Sequence, residues 1–457
     1  MAIALAAAAL GIGAGVEPRF AIAASLGAAF VLVAFADLGA GLALFAFLTF
    51  IELVPIGGAL ISFIKLAGLL LALSWLGVLA TRREKGLDFF SEHPLISAAL
   101  GLFIGWALIS MVWSESPADA LGSAGRYALN VGLFLIAFTA VRTHRDAGHV
   151  MLGFMLGAAA AAITGVATAG GDPSTERLGS GLLDPNELAA VLVSGTALAV
   201  GVFAIYRDNV PIRMLAVATG VFCASATWLT ASRGGLVALS IALIAAIAVS
   251  GRWRLLVSLM VVVFATASYI YFAGFAPHET QERITEPTKG QERLQEGRTT
   301  IWQVAWRAFE ANPAQGVGAG NFQVSSKHFL LEPGTLNRSE QIIDEPRVVH
   351  NSYLEVATEL GVVGFVLFMI VVGFSLGSLL FAAKAFSGAA DRRMQAACLC
   401  IAVALVGSLA AGFFVSAEYS KQLWLLLGLG PAMLSAARAT SPDGLTAGRP
   451  RALPKLG

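Results

Sequence analysis

Leu255–Phe275 reads LLVSLMVVVFATASYIYFAGF, a run without a single charged residue. About 20 consecutive apolar residues cross a bilayer as a helix, because each backbone polar group must be paired inside the segment. Pro94–Trp113, Val150–Ala169 and Met214–Ala231 are runs of the same kind. Of the 457 residues, 57% are hydrophobic and 13% charged, against about 25% charged in a soluble domain. The chain is therefore expected to be an all-α polytopic membrane helical bundle. Span-like segments centre near residues 9, 28, 47, 69, 104, 134, 160, 196, 222, 243, 264, 370, 405 and 429. The first three, and the pair meeting at Ser232–Gly235, are short and could be half-spans, so the expectation is 12–14 spans. The alternation of a membrane β-barrel is absent.

The formal net charge is +1, so charge nominates no nucleic-acid partner. Cys223, Cys398 and Cys400 lie within apolar runs and read as small core residues rather than disulfides or metal ligands. The first segment lacks a basic leader and is read as a retained span. Alternate loops carry Arg82, Arg83 and Lys85; Arg142 and Arg145; Arg207 and Arg213; Arg252 and Arg254; Lys384, Arg392 and Arg393; and Arg438, Arg449, Arg451 and Lys455. The short loops opposite carry only Arg19, Arg126, Arg177, Arg233 and Lys421. The bias puts the first set, and both termini, in the cytoplasm.

One connection is long. The chain divides into membrane helices over 1–93 and 94–275, a large outer loop over 276–350, membrane helices over 351–437 and a disordered tail over 438–457. Loops of this length are functional or disordered. Within it, Arg298–Ala311 reads as an amphipathic helix: Ile301, Ala305 and Phe309 recur at helical spacing, and Trp302 and Trp306 form a second pair. Asn312-Pro313 ends it. The two tryptophans fit either a helix lying at the membrane interface or plain packing of the loop.

Ionisable groups at span ends are costly, so they are functional candidates. Four places stand out, all on the outer side. In Glu176–Glu187, Asp184 and Pro185 are explained as an N-cap and the first helical residue, whereas Arg177 and Asn186 are not. Arg233, in Ser232-Arg233-Gly234-Gly235, sits between two apolar runs; it either snorkels or meets an anion, for which phosphate suits its planar fork. Arg298 heads the amphipathic helix, with an ion pair to Glu296 as the bland reading. The nearby run Gly316-Val317-Gly318-Ala319-Gly320 lacks the Lys-Ser/Thr of a P-loop and reads as a tight turn. Last comes Arg347-Val348-Val349-His350-Asn351-Ser352-Tyr353-Leu354-Glu355. His350 either caps the next span or abstracts a proton; Glu355 or Glu359 could orient its ring or line a polar cavity. No HExxH, paired-cysteine metal site, Walker A or GxSxG pattern is present. The four arginines with one base suit a site that holds a diphosphate leaving group while a hydroxyl is deprotonated.

The same residues resemble the O-antigen ligase/polymerase (Wzy and WaaL type) superfamily. The resemblance rests on Trp113-Ser114-Glu115-Ser116, Arg177 with Asp184-Pro185-Asn186-Glu187, Ser232-Arg233-Gly234, and Arg298 with Trp302. It continues through Gly316-Val317-Gly318, Asn321-Phe322, His350–Leu354 and Glu359-Leu360-Gly361. It implies a GT-C-like, metal-independent, inverting glycosyltransferase of the bacterial inner membrane that needs no cofactor. The donor would be an undecaprenyl-diphosphate-linked glycan, met at the periplasmic face. His350 would be the catalytic base; Arg233, Arg298, Arg177 and Arg347 would bind the diphosphate; Asn186, Asn351 and Glu355 would support them. The acceptor is lipid A-core for a ligase, as in lipopolysaccharide biosynthesis, or another glycan for a polymerase. The alternatives from other classes are a flippase or secondary transporter, disfavoured by the lack of a repeat, and a non-catalytic assembly factor.

Overall fold

The computed structural model describes residues 18–50, 63–81, 89–169, 178–179, 183–274, 289–330 and 348–440. Among them there are helices and no strand. The helices are α1 (Pro18–Ala36), α2 (Leu38–Leu48), α3 (Phe63–Thr81), α4 (Pro94–Ile109), α5 (Pro117–Ala140), α6 (His144–Ala169) and α7 (Pro185–Ile205). They continue with α8 (Val210–Leu229), α9 (Arg233–Val249), α10 (Arg254–Gly274), α11 (Lys289–Ala311), α12 (Ser352–Gly388), α13 (Arg392–Ala411) and α14 (Lys421–Thr440).

Among the described residues, ten helices are long and apolar enough to cross a membrane, and Gly27–Ala36, Leu38–Leu48 and Arg233–Val249 are shorter apolar helices. Together they account for thirteen of the fourteen expected segments; the one centred near residue 9 lies outside the described residues. The chain is thus a polytopic helical membrane protein. The tail beyond residue 440 also lies outside the described residues.

α7 and α14 are the most enclosed helices, and α10 the least. α7 packs against α6, α8 and α13. Its Ser194 Oγ donates to the Ala404 carbonyl at 3.1 Å and meets Ser408 Oγ at 2.9 Å, the kind of polar contact that ties helices where lipid gives no hydrophobic drive. The ends rich in basic residues meet each other. Arg393 pairs with Asp208 at 2.5 Å, joining the start of α13 to the end of α7. Arg142 donates to Ser435 Oγ at 2.8 Å, and Ser435 donates to Glu92 at 2.6 Å.

At the opposite end α12 breaks. Gly361 lies inside it with φ 65 and ψ −170, which frees backbone groups that a membrane helix must pair elsewhere. The turn after α11 takes them up. Val317 and Gly318 N–H donate to the carbonyls of Thr358 (3.0 Å) and Glu359 (2.8 Å), and Val362 N–H donates to Pro313 O at 2.8 Å. Trp106 Nε1 donates to Leu360 O at 2.8 Å. The glycine run is thus the tight turn expected of it, with Gly316, Gly318 and Gly320 all at positive φ. Glu359 is part of the same joint, accepting from Gly320 N–H at 2.7 Å and Phe322 N–H at 3.4 Å. Asn321 extends it to α5: its Oδ1 accepts from Ser116 N–H at 2.7 Å and its Nδ2 donates to Ser116 O at 3.2 Å. Two separate sequence motifs, Trp113–Ser116 and Gly316–Phe322, are therefore two halves of one joint.

A Cβ on Gly361 would lie 2.2 Å from the Ala314 carbonyl oxygen, at a φ that side chains rarely adopt, whereas Gly373 has open space around it. Gly361→Ala is expected to cost about 2 kcal/mol or more and to lower the Tm of the detergent-solubilised protein. Gly373→Ala should melt close to wild type; equal melting of the two variants would contradict this role for the break.

Candidate active site

Three helix N-termini converge at this end, and each is capped by its own sequence. At α7, Asp184 Oδ1 accepts from Asn186 N–H (2.6 Å) and Glu187 N–H (3.1 Å), while Glu187 reaches back to Asp184 N–H at 3.4 Å. The N-cap and the Pro at the first helical position are those expected from the sequence; the Glu187 contact completes a capping box. At α9, Ser232 Oγ accepts from Gly235 N–H at 3.0 Å and donates to Asn186 Oδ1 at 2.8 Å. That second bond ties the start of α9 to the start of α7. Ala231, just before, has φ 47, so the chain turns sharply there and Arg233 becomes the first helical residue. At α12, Asn351 Oδ1 accepts from Tyr353 and Leu354 N–H, both at 3.1 Å.

α11 lies across the third N-terminus. Trp302 Nε1 donates to Val349 O at 2.9 Å, and Thr358 Oγ1 donates to Ala305 O at 3.1 Å. Arg298, one turn before Trp302, is partly buried. Burial works against its charged form, and the Asp184 carboxylate nearby works for it. An arginine keeps its charge under such shifts, so Arg298 brings a desolvated cation to the start of α7. The α11 helix begins at Lys289, earlier than the expected Arg298. Trp302 is partly buried against Ile301, Val304 and Val349, whereas Trp306 is 52% exposed.

The turn between α13 and α14 closes the site, and sequence reading missed it. Ser352 N–H donates to Gly412 O (2.8 Å) and Val415 O (3.1 Å), and Ala417 N–H donates to Ser352 Oγ at 2.7 Å. Phe414 packs so tightly on Gly234 that a Cβ there would lie 2.6 Å from it. Ser416 Oγ accepts from His350 N–H at 2.9 Å and donates to Glu355. Glu355 was expected to orient the His350 ring or line a cavity. It is buried and holds the His350 backbone, through Ser416, at φ 56, a left-handed conformation uncommon outside glycine and often found at functional sites. On the same turn Glu418 is buried and Tyr419 is half-buried. Tyr419 Oη donates to Glu359 at 3.2 Å, and the Arg126 guanidinium lies 4.9 Å from the Tyr419 ring centre. The signal available in sequence was an acidic residue between two apolar runs on the outer side.

The structure thus brings Asn186, Arg233, Arg298, His350, Asn351 and Glu355 to one end of the bundle through named contacts. Arg177 and Arg347 lie outside the described residues. Among the described residues, no group of three His, Cys, Asp or Glu side chains is gathered so as to hold a metal ion.

Residues 218–369 match the family model Wzy_C, described as O-antigen ligase. The match supports the O-antigen ligase/polymerase superfamily for this chain. It spans the joint at Gly361 and includes Arg233, Arg298, His350 and Glu355; Asn186 and the α13–α14 turn lie outside it. No curated protein matches the chain. The match supports a ligase/polymerase-like glycosyltransferase role, and ten helices of the described residues are long and apolar enough to cross a membrane.

Glu418 gives a pH signature. Burial holds its carboxyl up at about 8, with the Glu359 charge adding to the rise. The unfolded chain gives up this proton near 4.5, so between about 4.5 and 8 the folded state binds more protons than the unfolded one. Stability therefore falls as pH rises through that window and levels off above it. Glu418→Gln, which stays neutral, should flatten the decline in Tm between pH 5 and 8; an unchanged slope would contradict a neutral buried Glu418.

Proposed function

We propose that the protein transfers a glycan from undecaprenyl diphosphate to a hydroxyl acceptor at the periplasmic face of the inner membrane, as an O-antigen ligase with lipid A-core as acceptor. The observation that carries this reading is the convergence of Arg233 and Arg298 with the strained His350 at the capped starts of α7, α9 and α12. The positive-inside bias supports the periplasmic placement, since the basic loop residues gather at the other end.

The chemistry follows from charge. The acceptor O–H loses its proton to the His350 imidazole while its oxygen attacks the anomeric carbon. The bond from that carbon to the diphosphate oxygen breaks, and the electron pair stays on the diphosphate. Arg233 and Arg298 meet the developing negative charge, Arg233 at a helix N-terminus whose dipole adds to the attraction. Attack from the face opposite the leaving group inverts the anomeric centre, and the cations take the electrostatic part that a metal plays elsewhere. Arg177 and Arg347 extend the diphosphate site in this reading. Asn186 fixes the start of α9, Asn351 caps α12, and Glu355 holds the base from behind.

The same superfamily supports a second reading, a polymerase whose acceptor is another lipid-linked glycan. Reconstituting the purified protein with lipid-linked donor, in chelator, with and without lipid A-core separates the two. Transfer to lipid A-core is the expected result; chain growth on donor alone makes it a polymerase, and activity lost to chelator overturns the arginine-based mechanism. His350→Ala should lower the rate about 10²–10⁴-fold in protein that inserts and melts normally. Arg298→Lys should not restore the loss in Arg298→Ala, because an ammonium cannot supply the bidentate fork. Near-normal turnover in His350→Ala would remove it as the base.

A further inference from the structure

α11 has two faces. Ile301, Val304, Ala305 and Ala308 are buried and dock the helix on the joint described above. The other face carries Thr299, Trp302, Gln303, Trp306, Arg307 and Glu310, and with Leu354 of α12 it lines an open groove of about 710 Å³. The large groups in it are already fixed. The Trp306 indole N–H donates to Glu310 Oε1 at 2.7 Å, the Trp302 indole N–H to Val349 O at 2.9 Å, and Arg307 Nη1 to Phe329 O at 3.0 Å. Groups held in place before a ligand arrives spare it their ordering cost.

We propose that this groove binds the saccharide chain that runs away from the reacting centre; the proposal rests on the transfer reading and assigns a glycan subsite to it. A pyranose presents a face of weakly positive C–H groups and an edge of hydroxyls. Indole rings offer a negative face to the first. The Thr299 hydroxyl, the Gln303 amide and the Glu310 carboxylate offer donors and acceptors to the second. A helix built only to float at the interface would carry lysine and arginine along its polar face, whereas the one arginine here, Arg307, is bonded to Phe329 O and stands among a carboxylate, an amide and the rings. Its position fits as well. Arg298 lies one turn before Trp302 on the same helix, and at 1.5 Å per residue Trp306 is about 12 Å further along. Leu354, at the other wall, is one turn after His350. A sugar chain leaving the diphosphate site therefore meets the groove directly. The shared ligand chemistry is a pyranoside chain, which the donor or the acceptor could supply.

The test uses the full-length protein in nanodiscs, titrated with two soluble probes: the oligosaccharide released from the donor lipid, and deacylated core oligosaccharide. Wild type is expected to bind one probe saturably, with affinity lost about tenfold or more in Trp306→Ala and largely kept in Trp306→Phe. In steady state, Trp306→Ala should raise the KM of the matching substrate far more than it lowers kcat, and the probe that binds names the source. Binding of neither probe, or equal binding by wild type and Trp306→Ala, would overturn the proposal. So would brominated-lipid quenching that Trp306→Ala abolishes while saccharide affinity stays intact, because α11 would then be an anchor on the lipid surface. Wild type that transfers glycan but binds neither probe overturns the groove alone; wild type that binds a probe but transfers nothing overturns the transfer reading alone.

Discussion

Everything at the end of the bundle where α7, α9 and α12 begin depends on how a broken membrane helix pairs its backbone. At Gly361 the α12 ladder is interrupted, and in hydrocarbon an unpaired amide or carbonyl costs several kcal/mol. The carbonyls of Thr358, Glu359 and Leu360 and the amide of Val362 all find partners, three of these bonds coming from the turn after α11 and one from Trp106. The break is thus also the anchor of the segment between α10 and α12. A loop fixed to the bundle by backbone bonds can hold a helix such as α11 in one place, and with it Arg298.

The site uses helix starts rather than helix interiors. The starts of α7 and α9 are tied by the Asn186–Ser232 bond, so their relative position is set by a serine that also saturates the Gly235 amide. The third start, at α12, is held from the other side by the α13–α14 turn. Ser416 stands between the His350 amide and Glu355, and Phe414 reaches Gly234 at the head of α9. A reaction that expels a diphosphate needs cations where charge develops and a base where a proton leaves, both fixed beforehand. Rigid helix ends satisfy that need better than a free loop would.

Much of this was legible in the sequence because the bilayer leaves so few options. Runs such as Leu255–Phe275 admit one structure, and charge asymmetry separates the two ends. Arg233 and His350 stood out because ionisable groups at span ends need a reason. The Gly361 break was not legible, since hydropathy averages over it within a 37-residue apolar helix. The Ser416–Tyr419 turn is too short to carry a periodicity, so Glu418 went unnoticed between two spans. Glu355 was noticed, but its link to His350 was not: helical spacing says which face a carboxylate is on, not that a serine from another turn will stand between it and the His350 amide. The tryptophans at 302 and 306 left two readings open because helical spacing does not say which of them meets the rest of the protein.

The central claim is that Arg233, Arg298 and His350 share one diphosphate-linked substrate. The direct measurement is a cryo-electron microscopy map of the full-length protein, carrying His350→Ala to prevent turnover, with its lipid-linked glycan donor bound in a nanodisc. The account predicts diphosphate density between the Arg233 and Arg298 guanidinium groups at the heads of α9 and α11, with the anomeric carbon facing position 350. Diphosphate density elsewhere in the bundle, with Arg233 and Arg298 facing lipid or bonded only to protein, would contradict it.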